Sequence, residues 1–206
     1  MMRFWALCVL MLVAVVTPLR ADDGGLAMVA QRVAKVAVLR GEFSQDKQVQ
    51  GFKNPLRSQG RFLLARDKGV VWSTLKPFPS EVVLTRDRIL SRQRDGSTRI
   101  EMDAKQQPAL RSVNAMMFAL MSGDVKALSS RFDVKAQAAP GNRWVLMLTP
   151  QPGPMTKAFT SITLDGDRYV RGVVIAEANG DVTRLQFTAL TETPAQLTAD
   201  EARRFD

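Results

Sequence analysis

The chain reads as an α+β protein made mainly of antiparallel strands, and three observations say so. Beyond residue 40, apolar residues alternate in eleven short segments separated by turn signals. Two further stretches repeat apolar residues at the three-and-four spacing of a helix. An apolar leader precedes them, and the remainder of the chain, residues 22–206, suits one domain with a substantial core.

Arg3 gives the leader a positive start, Phe4 to Val16 is apolar, and Thr17-Pro18 breaks the run. That run is shorter than the roughly 18–20 residues a membrane helix needs. It predicts a signal peptide over residues 1–21, cleaved after Ala21, and an exported, periplasmic protein. The residues before Cys8, Trp5-Ala6-Leu7, are not the small-residue pattern of a lipid-modified cysteine. Removal of the leader takes Cys8, the single cysteine, and leaves a chain with neither thiol nor histidine. A disulfide framework is excluded, and the commonest general base and metal ligands are missing. Arg3 and Arg20 leave without an acid, so the net charge falls from +9 to +7. For an exported protein, such a surface points to an anionic membrane or an acidic partner rather than nucleic acid.

The first element is a helix. Leu26, Val29, Ala30, Val33 and Ala37 form one stripe, with Asp23 placed to cap the start and Gly41 to stop the end. Strands are expected over 41–50, 57–66, 69–76, 80–86, 88–94 and 97–103. Turns at Asp67-Lys68-Gly69 and Asp95-Gly96 join two of these pairs. Phe62, Leu64 and Arg66 share one side of their strand, as Val70, Trp72 and Thr74 do on the next. A second helix carries Val113, Met116, Met117, Leu120 and Met121 on one face and ends at Ser122-Gly123-Asp124, with a short turn at Val125 to Leu128. Methionine is unbranched and polarisable, so this face suits partners of variable shape or an ordinary core equally. Strands over 130–137, 143–149, 158–165, 168–177 and 182–190 come next, with turns at Pro140-Gly141-Asn142, Asp165-Gly166 and Asn179-Gly180. The tail after Leu190, with its charged run Asp200 to Asp206, reads as a short surface segment. Short connections make neighbouring strands antiparallel, and eleven of them must close, curl or split into two sheets.

No phosphate-cradling loop or dinucleotide fingerprint occurs, and a Ser-His-Asp site cannot be built without histidine. Glu42 with Asp46, and Glu101 with Asp103, read as exposed polar alternation. Arg86, Arg88, Arg92, Arg94 and Arg99 decorate one hairpin, either as solvated charges that resist edge pairing or as a docking surface. No catalytic residue, metal or cofactor is expected.

The stretch from Arg40 to Glu81 carries a more specific signal. It runs through Gly41-x-Phe43-x-Gln45, a loop with Pro55, a strand ending at Arg66, a short turn, a strand bearing Trp72, and then Pro77, Pro79 and Glu81. This order resembles the periplasmic carriers of outer-membrane lipoproteins, the LolA type, most clearly from Leu39 to Leu90 and more weakly to Leu190. The resemblance implies an incomplete, half-open antiparallel β-barrel of about eleven strands, with helices forming a lid over a hydrophobic cavity that receives acyl chains. On that basis Phe43, Phe62, Leu64, Val70, Trp72 and Val83 are expected to line the concave face, and Met116, Met117 and Leu120 to close it. Trp72 reads equally as a core anchor. Arg66 aligns with the family's arginine that latches the lid to the sheet, although Asp67 replaces the proline that follows it in the family.

The implied activity is transport, not catalysis: a monomer that buries the acyl chains of a lipoprotein or related lipid and shuttles them from the inner to the outer membrane. An ATP-driven inner-membrane releasing complex and an outer-membrane acceptor are the implied partners. Two alternatives stay open. Ile89-Leu90 stands where the family often has Leu-Trp, which leaves room for another amphiphile such as a glycolipid or a lipid-linked pigment. A lipoprotein-sensing regulator of the envelope stress response uses the same architecture.

Overall fold

The computed structural model describes residues 23–85, 88–92, 98–103, 118–119 and 128–205. The expected signal segment, the Asp95-Gly96 turn and most of the Met-rich helix, including Met116, Met117 and Leu120, lie outside the described residues. Helix α1 spans Asp23–Arg32. Eleven strands follow: β1 (Val38–Gln48), β2 (Leu56–Ala65), β3 (Gly69–Lys76), β4 (Ser80–Thr85), β5 (Arg88–Arg92), β6 (Thr98–Asp103), β7 (Phe132–Ala139), β8 (Arg143–Pro150), β9 (Phe159–Gly166), β10 (Val170–Glu177) and β11 (Val182–Thr191). A short 3₁₀ turn, Pro154–Lys157, precedes β9, and helix α2, Ala199–Arg203, ends the chain.

All eleven strands form one antiparallel sheet in the order β6-β5-β4-β3-β2-β1-β11-β10-β9-β8-β7. The first and last strands thus meet at the centre, with Phe43 opposite Phe187, while β6 and β7 stand at the two edges and leave the sheet unclosed. Turn chemistry lets the hairpins form. Gly69 opens β3 with φ 152° and Gly141 turns β7 into β8 with φ 71°, conformations that residues with a Cβ rarely adopt.

The two faces of the sheet belong to different cores. The larger one gathers Leu39, Phe43, Phe62, Leu64 and Val70 with Val134, Leu146, Leu148, Ile162, Leu164, Leu185 and Phe187. Val29 of α1 and Val33, just past its end, join it, as do Ala119 and Leu128 from between β6 and β7. The smaller core lies on the opposite face, where Val38, Leu63, Ala65, Val71, Val83 and Leu90 pack against Phe205 and Leu197 of the tail.

The structure corrects three expectations. Helix α1 stops at Arg32, and Ala37 and Gly41 are not its end: β1 starts at Val38 and Gly41 lies inside it. A Cβ on Gly41 would come within 2.7 Å of the Phe62 ring, so this glycine serves close packing rather than helix termination. The tail lies at the surface but is more than a surface segment, since Phe205 is buried and α2 is pinned to the sheet through Arg40 and Glu201. Val83, expected beside Phe43 and Phe62, belongs instead to the smaller core on the opposite face.

Candidate functional site

Strand register places the site. Phe62 pairs with Trp72 and Leu64 with Val70 across β2 and β3, and Phe43 faces Gly60 on one side and Phe187 on the other. Side chains at paired positions project to the same face, so one aromatic cluster forms on the side of the larger core. The Phe43 and Trp72 rings stack at 3.8 Å although β2 runs between their strands. Gly60 permits that stacking, because a Cβ there would meet the Phe43 ring at 2.8 Å and collide with the Ser73 carbonyl oxygen. Phe62 meets Phe187 edge-on at 5.3 Å, and Trp72 meets it at 6.2 Å, nearly perpendicular. Such offset and edge-to-face pairs are the favoured arrangements of aromatic quadrupoles.

Beside Trp72 the described side chains leave the core unfilled. A pocket of about 310 Å³ is lined by Val70, Trp72, Val82, Leu84, Phe118, Ile175 and Leu185, with Gln45 and Thr183 as its polar members. Strands β4 and β10 both contribute to it, yet five strand spacings separate them in the sheet, roughly 24 Å if it were flat. The sheet therefore curls, and the pocket occupies its concave side.

Phe43, Phe62, Leu64, Val70 and Trp72 all lie on this side, with Val70 and Trp72 in direct contact with the pocket. Trp72 is half-buried: it is both a stacking partner of the core and part of the pocket wall. Val83 pairs with Val71 on the other face, and both point into the smaller core, so the pocket positions of β4 are Val82 and Leu84. Phe118, from the apolar side of the expected Met-rich helix, joins the pocket wall, and Phe187 and Leu185 of β11 and Ile175 of β10 complete the site and were not anticipated. The alternation Val-Thr-Arg-Leu-Gln-Phe in β11 carried the signal for two of them.

Arg66 comes directly after the last residue of β2 and points back over the concave side. Its Nε donates to the Val36 carbonyl at 2.9 Å, and its backbone N–H donates to Ala37 at 2.9 Å. Both acceptors belong to the connection between α1 and β1, and Ala34 of that connection donates to the Arg168 carbonyl at 2.8 Å. The Nη2 of Arg66 is buried and has no hydrogen-bond partner among the described residues. An unmet donor on a buried cation costs at least about 1–3 kcal/mol.

The end of the pocket nearest the β1–β2 loop is polar. Lys47 Nζ lies 2.8 Å from Glu177 and 3.3 Å from Asp181, and Thr183 donates to Glu177 at 3.0 Å. Glu177 holds the Lys47 pKa above its ordinary value. The Asp181 carboxyl is drawn below the usual range, first by the backbone N–H of Gln50 and also by Lys47. Among the described residues, no group of three potential ligands could hold a metal ion.

The sequence has relatives among known proteins. The family model for the outer membrane lipoprotein carrier protein LolA matches residues 34–201. The chain belongs to the LolA family. A curated outer-membrane lipoprotein carrier protein from Dechloromonas aromatica is 27% identical over 186 residues, which cover 86% of this chain and 82% of that one. Among solved structures, a LolA superfamily protein from Nitrosomonas europaea covers 90% of this chain and 97% of its own at 8% identity, with a TM-score of 0.48. MucB covers 86% of this chain and 61% of its own at 19% identity, with a TM-score of 0.47. Both overlaps are loose, and the LolA assignment rests on the family match.

Proposed function

We propose that this LolA-family protein is a periplasmic carrier that shelters acyl chains of a lipoprotein, or of a related lipid, on the concave side of its sheet and conveys them between the two membranes. The observation that supports this reading is the apolar pocket beside Trp72, which the described side chains leave open. Burying a chain there yields roughly 0.8 kcal/mol per methylene, so even a partly enclosed acyl chain is held usefully.

A carrier must also release what it holds. Arg66 supports a latch, because it ties the α1–β1 connection to the end of β2 while Val29 of α1 and the adjoining Val33 sit in the concave core. Breaking such a tie on uptake offsets part of the gain from burial and leaves the complex weaker than its contact area implies. Met116, Met117 and Leu120 are the proposed remainder of the lid.

Titration with an acylated lipopeptide tests the reading through tryptophan emission. The expected result is a saturable change that Trp72→Phe removes and Leu84→Ser weakens, with lipid found by mass spectrometry of the purified protein. An unchanged signal together with a lipid-free protein defeats it. The same spectrum names the cargo class, since a glycolipid or pigment differs in mass from a lipoprotein.

A further inference from the structure

Four of the large apolar side chains that stand in solvent share one end of the sheet. Phe78 is 81% exposed and Phe52 61%, and Leu56 and Leu75 are about half exposed. Phe52 lies in the β1–β2 loop and Phe78 in the β3–β4 loop; since β2 separates only β1 from β3, the two loops are neighbours on the rim. Solvated aromatics grouped in this way mark a surface that is covered by something else.

Both rings are presented by ordered backbone. The Phe52 N–H donates to Val49 at 3.0 Å and its carbonyl accepts from the Gln48 side chain at 2.6 Å. Phe78 is flanked by Pro77 and Pro79, whose rings fix φ on each side. Little conformational freedom is left to lose when these side chains enter another phase.

Charge decides what that phase is. The two loops and the strand ends beside them carry Lys53, Arg57 and Lys76, while Asp67, the one carboxylate between Lys47 and Ser80, lies with Arg66 and Lys68 at the opposite end. Lys53 and Lys76 are exposed on the rim, and Arg57 beside them meets Asp46 only at 3.4 Å with both side chains largely in solvent. The other carboxylates near this end are engaged: Glu177 and Asp181 with Lys47, Glu81 with Arg92 and Arg204. Aromatic side chains interleaved with solvent-exposed cations fit the headgroup boundary of an anionic bilayer.

We infer that the rim formed by the β1–β2 and β3–β4 loops docks the protein on an anionic phospholipid surface, with Phe52 and Phe78 entering the headgroup layer and Lys53, Arg57 and Lys76 meeting the phosphates. The inference does not rest on the carrier reading, since docking needs no cargo. Flotation with phosphatidylcholine vesicles, with and without phosphatidylglycerol, tests it at low and high salt. The protein is expected to float with the phosphatidylglycerol vesicles at low salt only. The pair Phe52→Ser/Phe78→Ser should weaken this by at least about tenfold, and Lys53→Gln/Lys76→Gln should remove the preference for phosphatidylglycerol. All four side chains are exposed, so an unchanged unfolding midpoint confirms that the variants are folded. Parent protein that stays unbound at low salt, or a phenylalanine variant that floats like the parent, overturns the proposal. Capture that requires a membrane protein in the vesicle overturns it in favour of a protein partner.

Discussion

The two faces of strands β1 to β5 are finished differently. On the convex face the chain covers its own apolar row: Phe205 and Leu197 close over Val38, Leu63, Val71, Val83 and Leu90. The polar groups around that seam are paired. Arg40 spans both Glu201 oxygens at 2.6 and 2.7 Å and donates to the Pro194 carbonyl at 2.7 Å, while Arg204 reaches Glu81 at 2.5 Å and Ser73 at 2.7 Å. On the concave face the aromatic row borders a pocket, and the buried Nη2 of Arg66 lacks an acceptor among the described residues. A satisfied, sealed face serves stability; the face that the described side chains leave unfilled is where function is to be sought.

The largest effect should come from unsealing the convex face. Phe205→Ala removes a buried ring and is expected to cost about 3 kcal/mol, the lower part of the range for such truncations. Chemical denaturation reads the loss, and lipid retained per folded molecule should stay unchanged. A variant that lost lipid in proportion to stability would show that the two faces are not separable.

The Arg40–Glu201 clasp sharpens the same comparison through pH. Chiefly through its hydrogen bonds with Arg40, the Glu201 carboxyl is lowered from 4.5 to about 2. A depressed folded-state value stabilises the fold above pH 4.5, and that contribution is lost as pH falls from 4.5 toward about 2. Glu201 also closes the capping box of α2 with Thr198, a role glutamine can keep, so Glu201→Gln isolates the charge. Glu201→Gln should cost about 2 kcal/mol at neutral pH, the worth of hydrogen bonds to a charged group, and less at pH 3. Parallel unfolding curves for parent and variant across that window would remove the clasp from the account.

How far the sequence revealed this arrangement depended on whether neighbouring residues differed in kind. Where apolar and polar residues alternate, as in Val182 to Phe187, or where charges bound an apolar run, as Arg61 and Arg66 bound Phe62-Leu63-Leu64-Ala65, the strands fell within a residue or two of their observed ends. Val82-Val83-Leu84 offers no such contrast, because both faces of β4 are apolar there, and only pairing with Val71 assigns Val83 to the convex core. Residues 33–39 defeat periodicity in another way. Val33, Val36, Val38 and Leu39 are all buried, so a helical stripe continues smoothly into a strand buried on both sides. Phe205 was hidden by the charges around it, since a run of Asp, Glu and Arg reads as solvated until the partners Arg40 and Glu81 are known. Ligand space has no sequence signature at all: the pocket exists because β4 and β10 approach across a curl that depends on the whole sheet.

Arg66 provides the smallest change in stability and the clearest separation of the two faces. Arg66→Leu deletes the bond to Val36 but also removes the buried, unpartnered Nη2, so the net effect should lie within about 1 kcal/mol. Its consequence for cargo should have a definite sign. If the Val36 tie holds the empty protein shut, losing it destabilises the empty state alone, and the filled state gains population by the same amount. One hydrogen bond of about 1 kcal/mol corresponds to roughly fivefold tighter retention. Release of an acylated lipopeptide to acceptor vesicles should slow accordingly, with the unfolding midpoint nearly unmoved. Release at the parent rate would mean that Arg66 holds the α1–β1 connection in both states, and that the resistance to uptake lies elsewhere in the concave wall.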